Sequence, residues 1–176
     1  MKKTIQLLTA CCLALFMLIS VTDGVSAATA SSVWVNGVQM VDGDYLETNV
    51  STTVTPGATA EPASYVAWYR NGTLTLKDAE IVNGSEFTAV MPSGEAGICS
   101  YSDLSIVLIG DNTVKASSDE FIVGIGVCAK VSISSSGAGS LTVTGAKAGI
   151  YTLGNSITIC GNANVSAASS GLDDVI

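Results

Sequence analysis

Five aspartates lie in or beside predicted turns, where they could supply oxygen ligands to a cation. They are Asp103, Asp111, Asp119, Asp173 and Asp174. Carboxylate and carbonyl oxygens together are the ligands that Ca²⁺ prefers. No acidic ladder repeats, however, since Asp103 aligns with Lys130 and Asn155 in the following repeats. If these aspartates bind a metal ion, we therefore expect it to be Ca²⁺. The alternative is that they are solvated turn residues without a ligand.

Aromatic residues are few but grouped, and they could provide stacking surfaces for sugars. Aromatic faces with polar tips suit the apolar C–H faces of sugar rings. In segment 65–69, alternation places Tyr65 and Tyr69 on one face of a predicted strand and Trp68 on the other. Tyr101 and Tyr151 occur early in two repeats, two positions apart in register, so they form no strict ladder. These five residues are predicted to bind carbohydrate, and packing inside the fold is the alternative.

Catalytic chemistry has little support in the sequence. The chain has no histidine, which excludes Ser-His-Asp and Cys-His catalysis and His-ligated metal sites. A polysaccharide lyase needs a basic residue to abstract a proton, but the single arginine, Arg70, lies in a predicted surface turn. A glycosidase needs two facing carboxylates, and no pair stands out. We predict that the protein is not an enzyme.

The composition limits both the size of the fold and its partners. The chain has 176 residues, 48% hydrophobic and 12% charged, with a net charge of −8. This length fits one domain. The lysines are scattered and the charge is negative, whereas nucleic-acid binding requires a basic face. Nucleic acid is therefore excluded as an expected partner.

Residues 1–27 are predicted to be a secretory signal peptide. A positive start precedes an apolar run over 5–21, and small residues follow up to Ala27. The apolar run is slightly short for a spanning helix. A lipid anchor at Cys11 is disfavoured because few apolar residues precede it. We expect a secreted or cell-surface protein with no stable membrane span after cleavage.

Three cysteines remain beyond the predicted leader, namely Cys99, Cys128 and Cys160. An odd number cannot pair completely within one chain. The simplest interpretation is three small buried apolar residues. One disulfide with a spare thiol is the alternative.

The chain beyond the leader repeats itself. Gly97-Ile98, Gly124-Ile125 and Gly149-Ile150 recur at intervals of about 25 residues, a period typical of solenoids. A second recurring motif marks the same three repeats. Gly110, Gly139 and Gly161 each precede a valine by four residues.

The repeats read as β-strands. Leu104, Ile106 and Leu108 alternate with other residues, and Ile157 and Ile159 flank Thr158 in the same way. Such period-two alternation with β-branched residues predicts strands. Each short unit would bury its apolar face only by stacking on its neighbours. The sequence therefore predicts an all-β fold, a right-handed parallel β-helix, with a β-sandwich as the alternative.

The predicted organisation beyond the leader has two parts. Residues 28–92 are assigned to an N-terminal cap and a first irregular rung, because a solenoid needs its open end covered. Within them, Arg70-Asn71-Gly72 predicts a hairpin turn and 51–64 a loop. Residues 93–176 are assigned to the repeats. The chain stops midway through a repeat, so we expect a C-terminal truncation.

The order of these segments resembles a known group of proteins. The residues that carry the resemblance are VWVNGVQMVDGDY, NGTLTLKDAEI, DLSIVLIGDNTV and GSLTVTG. The chain resembles secreted bacterial proteins, common in Clostridia, that are described as containing a carbohydrate-binding domain. Their structurally known relatives are pectate-lyase-like right-handed parallel β-helices. The resemblance implies binding of cellulose or an acidic plant or cell-wall glycan, with Ca²⁺ and without cleavage.

Two functions follow as hypotheses. The first is a secreted or cell-surface, non-catalytic module that binds polysaccharide. The second is a structural adhesin or stalk segment of a larger surface protein, without sugar specificity. Extension of the reading frame beyond Ile176 would separate them, because an adhesin would continue into many more repeats.

Overall fold

The protein consists of β-strands and connecting turns throughout the part that the computed structural model describes, residues 32–89, 93–115, 121–154 and 156–171. The strands are β1 (Val33–Val35), β2 (Val38–Met40), β3 (Tyr45–Leu46), β4 (Ala67–Arg70), β5 (Thr73–Lys77), β6 (Glu80–Ile81), β7 (Ser85–Phe87), β8 (Gly94–Ser100), β9 (Leu104–Ile109), β10 (Asp111–Val114), β11 (Phe121–Val127), β12 (Val131–Ser135), β13 (Ser140–Gly145), β14 (Ala148–Thr152), β15 (Ile157–Ile159) and β16 (Asn164–Ser169). The prediction of an all-β fold is confirmed.

Some predictions fall outside the described residues. These are the signal peptide over 1–27 and the candidate calcium ligands Asp119, Asp173 and Asp174. Within the described ranges, no helix is long and apolar enough to cross a bilayer.

The strands form three sheets. Sheet A has the order β14-β11-β8-β1-β2, with β7 also paired to β8; sheet B has the order β15-β12-β9-β5-β4-β3; and sheet C has the order β16-β13-β10-β6. Each strand from β8 to β13 pairs in parallel with the strand three places later in the chain. Consecutive strands therefore belong to different sheets, and the chain returns to the same sheet once in each repeat.

The strand register joins most of the residues that the repeats align. Ile98, Ile125 and Ile150 form one row across sheet A. In sheet C, Val114 pairs with Val143 as predicted. The third copy of the Gly-to-Val motif is displaced, because Val165 pairs with Leu141 rather than with Val143. A displacement of two residues leaves the side chains on the same face of the sheet, so the hydrophobic pattern tolerates it.

The main core is built from one face of each sheet. Ile98 of sheet A, Ile106 of sheet B and Leu141 of sheet C are fully buried in the same cluster. Burying side chains of this size stabilises the fold by roughly 1.5–3 kcal/mol each. On β15, an edge strand of sheet B, Ile157 and Ile159 remain about half exposed at 46% and 50%.

Antiparallel pairs distinguish the N-terminal strands from the rest. The predicted turn at Asn71-Gly72 joins β4 to β5, and both residues have positive φ, 49° and 74°. A second hairpin joins β1 to β2 through Asn36-Gly37, with φ of 53° and 85°. Positive φ at both central residues is the type I′ geometry that matches the strand twist. The predicted loop over 51–64 contains no strand, only a bridge residue at Thr55.

A buried asparagine connects neighbouring strands of sheet C. Asn112 on β10 is only 2% exposed. Its Oδ1 accepts the Ala79 N–H at 3.0 Å, and its Nδ2 donates to the carbonyls of Ile109, Gly110 and Ser140 at 3.2, 3.2 and 3.0 Å. A buried amide is tolerated only when its polar atoms are hydrogen-bonded. These partners come from the segments on both sides of β10. The Asn112 side chain therefore fixes the register of β10 relative to each of its two neighbours.

Candidate functional site

Sheet A carries a second hydrophobic cluster on the face opposite the main core. Successive side chains of a strand point to opposite faces, so Ile98 enters the main core while Cys99 enters the second cluster. The buried members of this cluster are Phe87, Ala96, Cys99 and Val123, and Trp34, Ala89, Ile122, Cys128, Ala148 and Tyr151 pack against them. A sheet covered on both faces provides a rigid base for surface residues beside it.

Phe87 lies at the centre of this cluster and is fully buried. Its ring centroid is 6.1 Å from that of Tyr101 and 6.5 Å from that of Tyr151. The ring lies against Gly126, where an added Cβ would come within 2.6 Å of a Phe87 ring carbon. Because no side chain can occupy position 126 without moving this ring, the glycine creates the space that Phe87 fills.

An open groove lies beside Phe87 at the end of the cluster. It has a volume of about 330 Å³ and is lined by Trp34, Gly37, Ser85, Glu86 and Tyr101. Tyr101 is 54% exposed, so its ring presents a free surface. We call this feature the aromatic groove. It is lined by the aromatic residues Trp34 and Tyr101, and aromatic rings with polar tips suit a sugar's apolar and polar surfaces.

One residue that lines the aromatic groove has a buried side-chain oxygen without a hydrogen-bond partner. Ser85 is 9% exposed, and its Oγ makes no hydrogen bond. Buried hydroxyls are nearly always hydrogen-bonded, and an unmet one costs about 1–3 kcal/mol. The Ser85 Oγ is enclosed by protein, so a ligand in the open groove does not reach it, and the missing hydrogen bond is a cost of the local packing.

The structure brings two of the five predicted sugar-binding aromatics together. Tyr101 lines the aromatic groove, and Tyr151 packs against the same Phe87 ring. Tyr151 lies in register with Gly126, which in turn lies in register with Cys99. This places Tyr151 two positions from Tyr101, as the sequence predicts, and two positions apart means the same face of the sheet.

The other three predicted aromatics lie on or beside sheet B, and two of them are buried. Tyr69 is fully buried in the main core, so it has no free ring face. Tyr65 is 4% exposed, donates to Glu61 at 2.8 Å and packs edge-on against Trp68. Lys77 Nζ covers its ring at 5.4 Å from the centroid. Burial and the Glu61 hydrogen bond raise the pKa of Tyr65. Tyr65 and Tyr69 are therefore packing residues, which corrects their assignment as carbohydrate ligands.

The two predicted calcium ligands within the described residues already bind protein groups. Asp103 accepts the Lys130 N–H at 3.0 Å, and Asp111 accepts the Ser140 hydroxyl at 2.7 Å. They precede or begin strands of different sheets, B and C, so they do not converge. Within the described part of the chain, no three acidic or cysteine side chains form a group that could hold a metal ion. These aspartates connect one repeat to the next.

A second groove, of about 400 Å³, lies beside sheet B and is polar. Its lining includes Asp103, Ser105, Lys130 and Ser132. The Ser105 and Ser132 hydroxyls bond each other at 3.1 Å, and Asp103 is engaged with Lys130. Because the two serine hydroxyls and the Asp103 carboxylate already bond protein groups and the lining has no aromatic ring, this groove is the weaker candidate for a ligand site.

Comparison with known proteins adds no functional assignment. Protein-family models, curated proteins and solved structures give no match to this chain. The interpretation of function therefore depends on the geometry of the aromatic groove and on the sequence pattern.

The three cysteines within the described residues are free thiols in three different environments. Cys99 is buried, Cys128 is partly buried and Cys160 is exposed. The exposure of Cys160 corrects the expectation that all three are buried. Burial, together with the neighbouring Cys128, raises the pKa of the Cys99 thiol to about 12, and burial also raises the pKa of Cys128.

We predict that a thiol reagent at pH 8 modifies Cys160 first, then Cys128, and leaves Cys99 unmodified until the protein unfolds. The thiolate is the reactive form, and a raised pKa keeps a thiol protonated at this pH. Peptide mass spectrometry after timed labelling with iodoacetamide measures the order. Urea-unfolded protein, in which all three should react together, is the control. Rapid labelling of Cys99 in the folded protein would contradict the burial.

Proposed function

We propose that the protein is a secreted or cell-surface, non-catalytic polysaccharide-binding module whose strands wind as a right-handed parallel β-helix. Three ladders of parallel strands, each joining a strand to the one three places later, support this winding. A β-sandwich would require mostly antiparallel neighbours. The antiparallel strands β2 and β3, at the ends of sheets A and B, support the proposal of an N-terminal cap.

The aromatic groove is the observation that carries the proposal. Tyr101 and Trp34 line it and offer ring surfaces to the C–H face of a sugar. The Tyr101 ring is 54% exposed, and its phenol oxygen is a polar group that could bond a sugar hydroxyl.

Non-catalytic binding fits the position of the single arginine. Arg70 donates to the Ala58 carbonyl at 3.1 Å and lies 3.5 Å from the Asp42 carboxylate. A proton-abstracting base would need to reach a substrate instead. Ca²⁺ remains part of the proposal as an accessory ion, and repeating each titration with EDTA tests whether binding needs it.

Isothermal titration of the purified protein with cellohexaose is expected to show binding that Tyr101→Ala weakens by at least about tenfold. Tyr101 is exposed, so its truncation removes stacking surface with little effect on the fold. Trp34→Leu should give a loss of similar size.

Tyr45→Ala is the matched control, because it removes a partly buried tyrosine from sheet B, away from the groove. Its affinity for cellohexaose should stay within about twofold of the wild-type value. Equal losses in Tyr101→Ala and Tyr45→Ala would contradict binding in the aromatic groove. Absence of binding to cellohexaose and to oligogalacturonate, by protein shown to be folded by circular dichroism, would contradict the proposed function.

A structural segment of an adhesin is the second candidate, and one observation favours it. Ile157 and Ile159 continue the inward-facing rows of Val131 and Ile133, yet they are about half exposed. A further stacked strand would cover them, as in a long solenoid. A folded protein that binds no glycan in the titrations above would favour this function.

A further inference from the structure

Strand β15 forms an open edge of sheet B and carries two large, exposed apolar side chains. It is the last strand of the sheet and, among the described strands, pairs only with β12. Ile157 and Ile159 are 46% and 50% exposed, whereas Val131 and Ile133, their neighbours in the same inward-facing rows, are at most 1% exposed. The two positions differ because β12 has a paired strand on each side. A strand added to β15 would therefore bury both isoleucines.

The backbone of β15 also presents hydrogen-bonding groups to this edge. Cys160 donates its N–H to a carbonyl of β12 at 2.9 Å, and the Ser156 carbonyl accepts an N–H of β12 at 3.1 Å. Backbone groups of successive residues in a strand point to opposite sides, so Thr158 also faces β12 while Ile157 and Ile159 face the open edge. The N–H and carbonyl groups of the two isoleucines are therefore placed to pair with a further strand.

The sequence around this edge lacks the features that usually prevent pairing with another chain. Natural sheet edges are protected by charged residues, proline or bulges. Residues 148–171, which contain β14, β15 and β16, include no charged residue and no proline. The net charge of the chain is −8, so two copies repel each other least where such an uncharged segment meets its own copy. Elsewhere, Glu80 lies on β6 at the end of sheet C, and Glu47 follows β3 at the end of sheet B.

The edge strand is nearly symmetrical about its central residue. Its sequence reads Ser156-Ile157-Thr158-Ile159-Cys160, with an isoleucine on each side of the threonine and a small residue beyond each isoleucine. If two copies of β15 pair antiparallel about Thr158, Ile157 lies opposite Ile159 of the second copy. The edge-facing backbone groups of these residues then form hydrogen-bonded pairs, and the isoleucines stay on the inward face. The two Thr158 side chains meet in the intervening non-hydrogen-bonded pair, where side chains are closest.

We propose that β15 is a dimerisation edge, at which two copies of the chain pair antiparallel about Thr158 and continue sheet B across a two-fold axis. A two-fold contact requires a self-complementary surface. The order of apolar side chains, hydroxyl and backbone groups along β15 meets this requirement, which an unrelated strand would not impose. The inference does not depend on the proposed glycan binding, because the aromatic groove is built on β1 and β7 of sheet A.

Sedimentation velocity of the purified protein over about 1–200 µM tests the association. The wild-type protein is expected to shift from the mass of one chain to that of two as the concentration rises. Ile159→Lys gives the edge the charge that natural edge strands carry, and it should raise the dissociation constant by at least about tenfold. Val41→Lys is the matched control, because Val41 is 43% exposed in the loop after β2, and this variant should dimerise like the wild type. Circular dichroism shows that both variants are folded.

Thr158→Cys in a Cys160→Ser background tests the register without changing the apolar edge. Thr158 is exposed, and the two introduced thiols would lie directly opposite each other, close to the separation that a disulfide spans. Mild oxidation should therefore link most of the chains into covalent dimers. Ser132→Cys in the same background is the control, because Ser132 lies in register with Thr158 but one strand inside the edge. It should give at least about fivefold less covalent dimer.

Association that Ile159→Lys weakens, with cross-linking at position 158 and little at position 132, would support the proposal. The mass of one chain at every concentration, equal dissociation constants for the wild type and Ile159→Lys, or equal cross-linking at the two positions would overturn it. A monomer in which the amides of Ile157 and Ile159 are protected from hydrogen exchange would also overturn it, and would assign the edge to another strand of the same chain.

Discussion

Replacing Asn112 with leucine is expected to lower the free energy of unfolding by about 3 kcal/mol. The position faces inward, in register with Leu141, which in turn pairs with Val165, so an apolar side chain there fits the row by volume. The cost arises from the polar groups that the leucine would leave behind. The Ala79 N–H and the Ser140 carbonyl would each lose the amide that now bonds them.

Urea unfolding followed by circular dichroism measures this loss as a lower midpoint at an unchanged slope. Asn164→Ala is the control, since Asn164 is an exposed residue of the same sheet, and it should change stability by less than about 0.5 kcal/mol. An Asn112→Leu protein as stable as the wild type would show that packing, not hydrogen bonding, decides this position.

The strand pattern could be predicted from the sequence because burial follows a local rule. Alternating side chains face opposite sides of a strand, so Leu104, Ile106 and Leu108 had to share a face, and all three are buried. Asn71-Gly72 predicted its hairpin because few residue pairs tolerate two positive φ angles in succession. The Asn36-Gly37 hairpin carries the same signal and could have been predicted in the same way.

Other features depend on contacts that are distant in the sequence. The motif Gly110-Asp111-Asn112 reads as a turn, yet Asn112 enters β10 with its side chain inside. Turn propensity does not show that the Ala79 N–H lies within reach, since strand pairing alone brings β6 beside β10. Aligning the repeats on their glycines likewise does not predict the two-residue offset of Val165. Loop lengths vary between repeats without changing which face of the strand is buried.

The candidate site was predictable only in part. Tyr101 is the one predicted sugar ligand that lines the aromatic groove, whereas Trp34, Ser85 and Glu86 come from strands β1 and β7. Their approach depends on β1 and β7 both pairing with β8. The burial of Tyr69 could not be predicted from the sequence either. Alternation defines two faces of a strand but does not say which face packs against the core.

Truncating Phe87 to alanine is expected to have the largest combined effect, lowering the free energy of unfolding by about 3–5 kcal/mol and abolishing glycan binding. The ring is fully buried and lies between Tyr101 and Tyr151. Its removal would leave a cavity beneath the exposed Tyr101 ring, which would lose its support. Chemical denaturation and cellohexaose titration, both performed at a temperature where the variant is folded, measure the two effects.

Stability and binding must be separated, and Leu141→Ala does so. Leu141 is buried in the main core, away from the second cluster, and its truncation should cost a comparable 2–5 kcal/mol. Its folded fraction should nevertheless bind cellohexaose with wild-type affinity. If Leu141→Ala and Phe87→Ala lost binding equally, the loss would follow from lower stability, and Phe87 would have no specific role in the groove.

Gly126→Ala tests the same support without removing the ring. The added Cβ would lie 2.6–2.9 Å from three Phe87 ring carbons, so the ring must shift, at a cost of about 1–3 kcal/mol. A shifted Phe87 would displace Tyr101, and cellohexaose affinity should fall by about tenfold. Gly57→Ala places its Cβ in open space at a positive φ of 80°, so it strains the backbone without crowding Phe87. It should leave binding unchanged and shows whether a loss of stability alone weakens binding. Wild-type binding by Gly126→Ala would mean that the groove does not depend on the position of Phe87. Loss of binding in Gly126→Ala but not in Gly57→Ala would show that the Phe87 ring holds the groove residues in place.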